Sequence, residues 1–461
     1  MATTCSINIR NVISAGLCFI LLGVVFPGTV GAQTFLKKYI EEGLSNNLVM
    51  KQKDLSLRRS LLALKEARSW FYPSAAFTGD YTWAEGGRTI ALPVGDLLNP
   101  VYSTLNQLTH SNHFPVIENS EFQLLPQNFY DARFRVAYPL LNTDLYYNSR
   151  IKKDEIRMAE YEIEIYRQEL TREIESAYYN YCLATDAAKI YESATALVKR
   201  NLQVNQSLER NGKGLAANVL RAESETEVIS SRLREAENQQ KNARSWFNFL
   251  LNRSFSDSVV YETLPFPEDL AQSLTVTPVT GNRSELKELG TAMNIRHSEL
   301  SMNNRYAIPK VNTFVDLGSQ AADWQFNSQS RYFMAGVEVT VPVFTGFRNR
   351  TKISKTKLEL EDLSIRLENT NRQIMVAADA ARNNLSTAMA NLTSSEKQYQ
   401  SARAYFNLVE KGYAAGINSL LEFMDARNQL TASEIEVKLN RYKVLSAYSD
   451  LKRQTASSTL Q

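Results

Sequence analysis

The stretch LTREIESAYYNYCLATDAAKIYESATALVKRNL, residues 170–202, decides the fold. In it Leu170, Ile174, Ala177, Tyr181, Ala184, Ala188, Tyr191, Thr195, Val198 and Leu202 recur at alternating steps of four and three. That spacing holds a stripe on one side of an α-helix and is the spacing of a coiled coil. A continuous helix from Thr143 to Asn211 would extend about 100 Å at a rise of 1.5 Å per residue, far beyond what a globular core needs. A return helix carries the same frame at Ala222, Thr226, Ile229, Leu233, Ala236, Gln240, Ala243, Phe247 and Leu250. Many seam positions are alanine or polar, so a lone hairpin buries little apolar area, and more helices must pack around it.

The frame recurs later in the chain. Ile374, Ala378, Ala381, Leu385, Ala388, Leu392, Ser395, Tyr399, Ala402 and Phe406 match the first helix, and Ala426, Leu430, Ser433, Val437, Asn440, Val444, Ala447 and Leu451 match its return. Tyr138-Pro139-Leu140-Leu141 pairs with Val341-Pro342-Val343-Phe344, Gly212 with Gly416, Ala222 with Ala426, and Pro73 with Pro309. The chain therefore reads as a tandem duplication, each unit running helix, strand, strand, long helix, turn, long helix. The first unit holds roughly 33 extra residues between its two prolines. The expected organisation is 1–32 signal peptide, 33–252 first repeat with a long inserted loop, 253–282 equatorial linker, 283–454 second repeat and 455–461 tail.

Four strands alternate. Ala75, Phe77, Gly79, Tyr81 and Trp83 oppose Thr78, Asp80 and Thr82; Tyr130, Ala132, Phe134, Val136 and Tyr138 oppose Asp131, Arg133 and Arg135. Phe333, Ala335, Val337, Val339 and Val341 oppose Glu338 and Thr340, and Val311, Thr313, Val315 and Leu317 form a weaker case because Phe314 sits on the polar face. Apolar-out, charged-in alternation is the pattern of a membrane barrel, although soluble sandwiches alternate likewise. Four strands cannot close such a barrel, and open edges in lipid leave backbone groups unpaired, so the chain must oligomerise. Two copies give eight strands and three give twelve; strand physics does not choose between them.

The chain has 461 residues, 44% hydrophobic and 22% charged, which is ordinary for a folded protein. A net charge of +3 gives no argument for nucleic acid. Arg10, the apolar stretch Val12 to Phe26 and Val30-Gly31-Ala32 read as a secretory signal cleaved after Ala32. Cleavage leaves Cys182 as the one cysteine, so no intrachain disulfide forms. The remaining chain has no run of about 18 apolar residues, and any membrane crossing must use strands.

With these residues in view, the chain resembles the TolC-like outer-membrane efflux protein family over nearly its whole mature length. The resemblance rests on the duplicated plan, on Ala67 to Pro73, on the join Pro342 to Gly346, and above all on Tyr413-Ala414-Ala415-Gly416-Ile417-Asn418-Ser419-Leu420-Leu421-Glu422-Phe423-Met424-Asp425-Ala426. It implies an α+β membrane protein: a homotrimer with a 12-stranded transmembrane β-barrel, four strands per protomer, above a long α-helical coiled-coil barrel. It also implies an outer-membrane location with a large periplasmic portion, and partners in a periplasmic adaptor (membrane fusion) protein and an inner-membrane pump. Tyr413 matches the family's gate tyrosine, and Glu422 and Asp425 match acids that ring the periplasmic entrance. Physically, Glu422 and Asp425 lie three apart on a helix restarting after Gly416, where acids also suit the helix dipole without any pore. Two departures matter. The protein after which the family is named has a gate arginine where Asn418 stands, and Asn218 stands where the first unit often has Asp. A hydrogen-bonded closure is therefore expected in place of a charged bridge.

The function expected is a duct of a tripartite efflux or secretion system exporting small molecules, with a type I protein secretion duct as the alternative. A structural periplasmic coiled coil would not need the strand alternation. His110-x-x-His113 lacks a completing ligand pattern for zinc, and Gly86-Gly87 is followed by no P-loop lysine. No Ser-His-Asp or Cys-His constellation is readable, so no enzyme activity, cofactor or metal is expected. The insert from Glu85 to Asn128, with Pro93, Pro100, Pro115, Pro126, Leu97, Leu98 and Val101, reads as an ordered lid or partner surface at the barrel mouth. Arg253 to Asn282 should wrap the tunnel as a belt.

Overall fold

Two long helices dominate the molecule. In a computed structural model describing residues 35–125, 127–275 and 283–455, α4 runs unbroken over Thr143–Arg210 and α8 over Arg348–Ala414. Their return helices are α5, Ala216–Leu250, and α9, Leu420–Thr455. The signal segment and most of the C-terminal tail lie outside the described residues. α4 starts where the Asn142 side chain accepts the Asp144 N–H at 3.0 Å, satisfying one orphan donor of the first turn. The heptad stripe faces inward: Leu170, Ile174, Ala177, Tyr181, Ala184, Thr195 and Val198 are buried, as are Ile374, Ala378, Ala381, Leu385, Ala388 and Ser395.

Neither hairpin stands alone. α1, Phe35–Asn46, and α2, Leu48–Ser69, pack on α4, and α7, Ser284–Asn304, packs between α4 and α8. α9 also packs on α4. The main core gathers Leu36, Tyr39, Leu170, Ile174, Tyr178, Phe247, Leu251, Tyr442 and Leu445 around mid-α4. Gly43 allows close packing there, since a Cβ would meet Leu251 at 3.0 Å and force Ile174 to shift. The segment after α5, which includes the short α6, Leu270–Ser273, lies across this level. Tyr178 and Tyr181 donate to the Val260 and Val259 carbonyls at 2.9 and 3.0 Å, Arg441 donates to the Leu264 carbonyl, and the Tyr448 hydroxyl donates to Asp269.

The strands form one antiparallel sheet, ordered β1 (Ser74–Thr82), β4 (Phe129–Leu141), β5 (Lys310–Ala322), β6 (Arg331–Thr340). Register puts Phe77, Phe134, Leu317 and Phe333 in one cross-strand row and Ala75, Val136, Val315 and Ala335 in the next. The opposite face is charged. Arg135 makes a bidentate pair with Asp316 at 2.7 and 2.6 Å, and Tyr332 donates to Asp131. Phe314 does sit on this polar face, where Arg135 lies 4.7 Å over its ring and Gly336 leaves room beneath it. Every side chain of both rows is exposed, Phe77, Phe134, Leu317 and Phe333 among them, and β1 and β6 are free edges of an open sheet. Among the described residues no helix is long and apolar enough to cross a membrane.

The insert departs from the expected loop. It holds β2 (Thr89–Leu92) paired with β3 (Ser120–Gln123), and between them α3, Val94–Thr109. Prolines at 93 and 100 hide this helix from a sequence reading. Pro93 precedes its first turn, and Pro100 is accommodated within it. His110 closes α3 in the left-handed conformation, φ 48°, its N–H bonding back to the helix. Pro126 lies outside the described residues.

Candidate gate at the helical tips

Both long helices end in the same way. After α8, Gly416 takes φ +77°, its N–H bonds the Tyr413 carbonyl at 3.0 Å, and the Ile417 N–H bonds the Gly412 carbonyl at 2.8 Å. After α4, Gly212 takes φ +70°, with Gly212 N–H to the Glu209 carbonyl at 2.9 Å and Lys213 N–H to the Leu208 carbonyl at 2.8 Å. These are Schellman closures, and only glycine occupies the left-handed position without strain. Each paired glycine of the sequence is therefore a helix stop that reverses the chain.

The restarts differ. α9 opens on a capping box: Glu422 accepts the Ser419 N–H at 2.8 Å, while the Ser419 hydroxyl accepts the Glu422 N–H at 3.2 Å. Asn418 folds back over Gly412 and donates to Glu422 at 3.2 Å. The Ser419 N–H, then the Asn418 amide and the Ser419 hydroxyl, hold the exposed Glu422 carboxylate below its ordinary range. α5 opens at Leu215 without a side-chain cap, and Asn218 is half-buried in its first turn. Asp425 is exposed one turn beyond the cap.

Tyr413 is half-buried. Its ring stacks on Phe423 at 4.9 Å, beside a small core of Phe406, Val409, Leu420, Met424 and Ala426. Its hydroxyl accepts from the Asn205 amide of α4 at 3.0 Å, and the same amide donates to the Asn201 carbonyl at 2.9 Å. The structure thus brings Tyr413, Gly416, Asn418 and Glu422 together in one tip, while Gly212 and Asn218 belong to the other. Asn205 was not anticipated, yet it occupies the next heptad position after Leu202. Arg427, also unanticipated, is 1% exposed and pairs with Glu225, joining α9 to α5. Burial lowers the affinity of Arg427 for its proton, and Glu225 opposes that shift. Ser419-x-x-Glu422 has the spacing of a capping box, a signal that could have marked this restart. Among the described residues no cluster of His, Cys, Asp and Glu could hold a metal ion.

The chain is similar to known proteins. Residues 281–457 match the family described as "Outer membrane efflux protein". The chain is 21% identical over 295 residues to the alkaline protease secretion protein AprF of Pseudomonas aeruginosa, a match covering 62% of this chain and 61% of AprF. It is 19% identical over 449 residues to the outer membrane protein TolC of Escherichia coli, covering 92% of this chain and 83% of TolC. Its fold is similar to the CmeC outer membrane channel of Campylobacter jejuni, with TM-score 0.71 and 14% identity over 91% of this chain and 85% of CmeC. The outer membrane protein VceC of Vibrio cholerae is similar too, with TM-score 0.71 and 14% identity over 91% and 96% of the two chains. The chain thus carries an outer membrane efflux protein domain over residues 281–457 and is homologous to AprF and TolC.

Proposed function

We propose that three copies of this chain form an outer-membrane duct whose β-barrel opens outward and whose helices cross the periplasm. The observation that carries this reading is the four-stranded sheet. It has one apolar exposed face, one charged face and two unpaired edges, continuous with helices about 100 Å long. Three copies would give twelve strands, with Arg135, Asp316 and Asp131 lining the lumen. Two repeats, 33–252 and 283–454 about the linker 253–282, are supported by the near-equal lengths of α4 and α8, 68 and 67 residues, and of α5 and α9, 35 and 36. The duct works with an adaptor and an inner-membrane pump, exporting small molecules. The observation on the side of the alternative, a type I secretion duct, is the likeness to AprF, a protease secretion protein.

The tips would form the periplasmic gate. Tyr413 and Asn205 tie α8 to α4 by a hydrogen bond, in place of the charged bridge that Asn418 cannot make. Gly416 and Gly212 set the turns, with Asn218 beside the second. Copies of Asp425 and Glu422, gathered about the axis, would raise local cation concentration. Glu422 is already engaged at its own helix start, so Asp425 carries more of this effect. The test is single-channel current in a planar bilayer. E422A/D425A should shift the reversal potential in a salt gradient toward zero, more at low salt, and Y413A should enlarge the current. An unchanged reversal potential in the acid variant would remove the carboxylates from the pore.

A further inference from the structure

The insert carries a helix that answers two demands on opposite sides. At about 100° per residue, Gly95, Asn99, Tyr102 and Asn106 of α3 share one face. That face is occupied. Asn99 exchanges two hydrogen bonds with the Ile117 backbone, at 2.9 and 2.8 Å. Asn106 does the same with Phe114, at 2.8 and 3.1 Å. The Asn119 side chain accepts the Gly95 and Asp96 N–H groups, and a Cβ on Gly95 would strike the Ile117 carbonyl. The return segment 111–119 is thereby fixed to one side of α3.

The opposite face holds Leu97, Val101, Thr104 and Leu108, spaced four, three, four. This is the seam spacing of a coiled coil, the same that the long helices bury within the protomer. Here it is open: Leu97 is 69%, Val101 51% and Leu108 74% exposed. Thr104 costs little to bury, because its hydroxyl already donates to the Pro100 carbonyl at 2.9 Å. The insert Glu85–Asn128 holds a single Lys or Arg, Arg88 ahead of β2, and within α3 Asp96 is the one charged residue. An interfacial membrane helix uses basic residues against anionic lipid, so this composition argues against a lipid surface. The insert also leads directly from β1, a free edge whose backbone groups must find another copy's strand in lipid. It therefore stands at the boundary between copies.

We infer that α3 is a homotypic docking helix: its Leu97–Val101–Thr104–Leu108 seam packs against the same seam of neighbouring copies, fastening the inserts together over the barrel mouth. This rests on the oligomeric duct reading above. A helix of 16 residues offers about two heptads, too few to associate alone, so the barrel must first bring the copies together.

The test uses the full chain in intact cells, with L108C and, as an off-seam control, S103C. Cys182 does not interfere: it is buried, and burial pushes its thiol up to about 12. Oxidation should link L108C between copies into a dimer band and leave S103C unlinked. A membrane-impermeant maleimide should label S103C much faster than L108C. Rapid labelling of L108C overturns the inference, since the seam is then open to water. Protection of L108C without crosslinking overturns it too, assigning the seam to lipid or another protein. Measuring the oligomer mass of the same variants separates the two ideas: a trimer with no L108C link rejects the docking helix alone, and a monomer rejects the duct reading.

Discussion

Arg427 illustrates how much of the tip depends on single side chains. Its guanidinium is almost fully enclosed, Nε and Nη1 have no hydrogen-bond partner within the protomer, and Glu225 supplies its charge partner. Removing one member of a buried pair leaves the other desolvated and uncompensated, so R427A should destabilise the tip by about 3 kcal/mol, read as lower thermal stability and faster proteolysis at the turns. Loss of less than about 0.5 kcal/mol would mean that the pair is solvated as an ordinary surface bridge is. Glu285 behaves in the opposite sense. Burial alone would raise its pKa, but hydrogen bonds from Arg283 and Arg453 overcome this and lower it to about 2. Its stabilising contribution is therefore present above about 4.5, the ordinary carboxylate value, and is lost as pH falls toward 2. With screening allowed for, this amounts to about 2 kcal/mol. The gap in melting temperature between the natural protein and E285Q should narrow from pH 7 to pH 3; a constant gap would contradict the assignment. These roles were not readable beforehand, because Arg427 meets Glu225 and Arg453 meets Glu285 only once the helices are packed.

At the scale of elements the sequence was most informative where periodicity is long. The heptads placed α4, α5, α8 and α9, and the turn glycines marked their ends, since a seam facing neighbouring helices repeats a single constraint over many turns. The strands were legible because alternation separates the apolar row of Phe77, Phe134, Leu317 and Phe333 from the charged row. α3 was missed: two prolines and a face made of asparagines obscure the usual apolar pattern. The Tyr413–Asn205 tie was also missed, as it joins residues 208 apart. Ala184 and Ala388 provide the check on the seams. Both are buried, at 8% and 9% exposure, so phenylalanine at either should overpack the wall, cost about 1–3 kcal/mol and lower the oligomer yield. Normal yield from both A184F and A388F would mean that these positions tolerate bulk and do not form the close helix contact.

At the scale of the whole molecule, the proposed duct makes one protomer an incomplete object. Its sheet exposes an apolar face and two edges. Backbone groups at β1 and β6 cannot remain unpaired in hydrocarbon, and the edge of one copy is the natural complement of the other edge of the next. The sequence implied this need for closure, since four alternating strands are too few for a barrel, but it left the copy number open. The most direct measurement is the mass of the detergent-purified full chain extracted from outer membranes, taken on the sample that conducts in planar bilayers. The account predicts three copies per particle. A conducting particle of one copy, or a protein absent from the outer membrane, would contradict it.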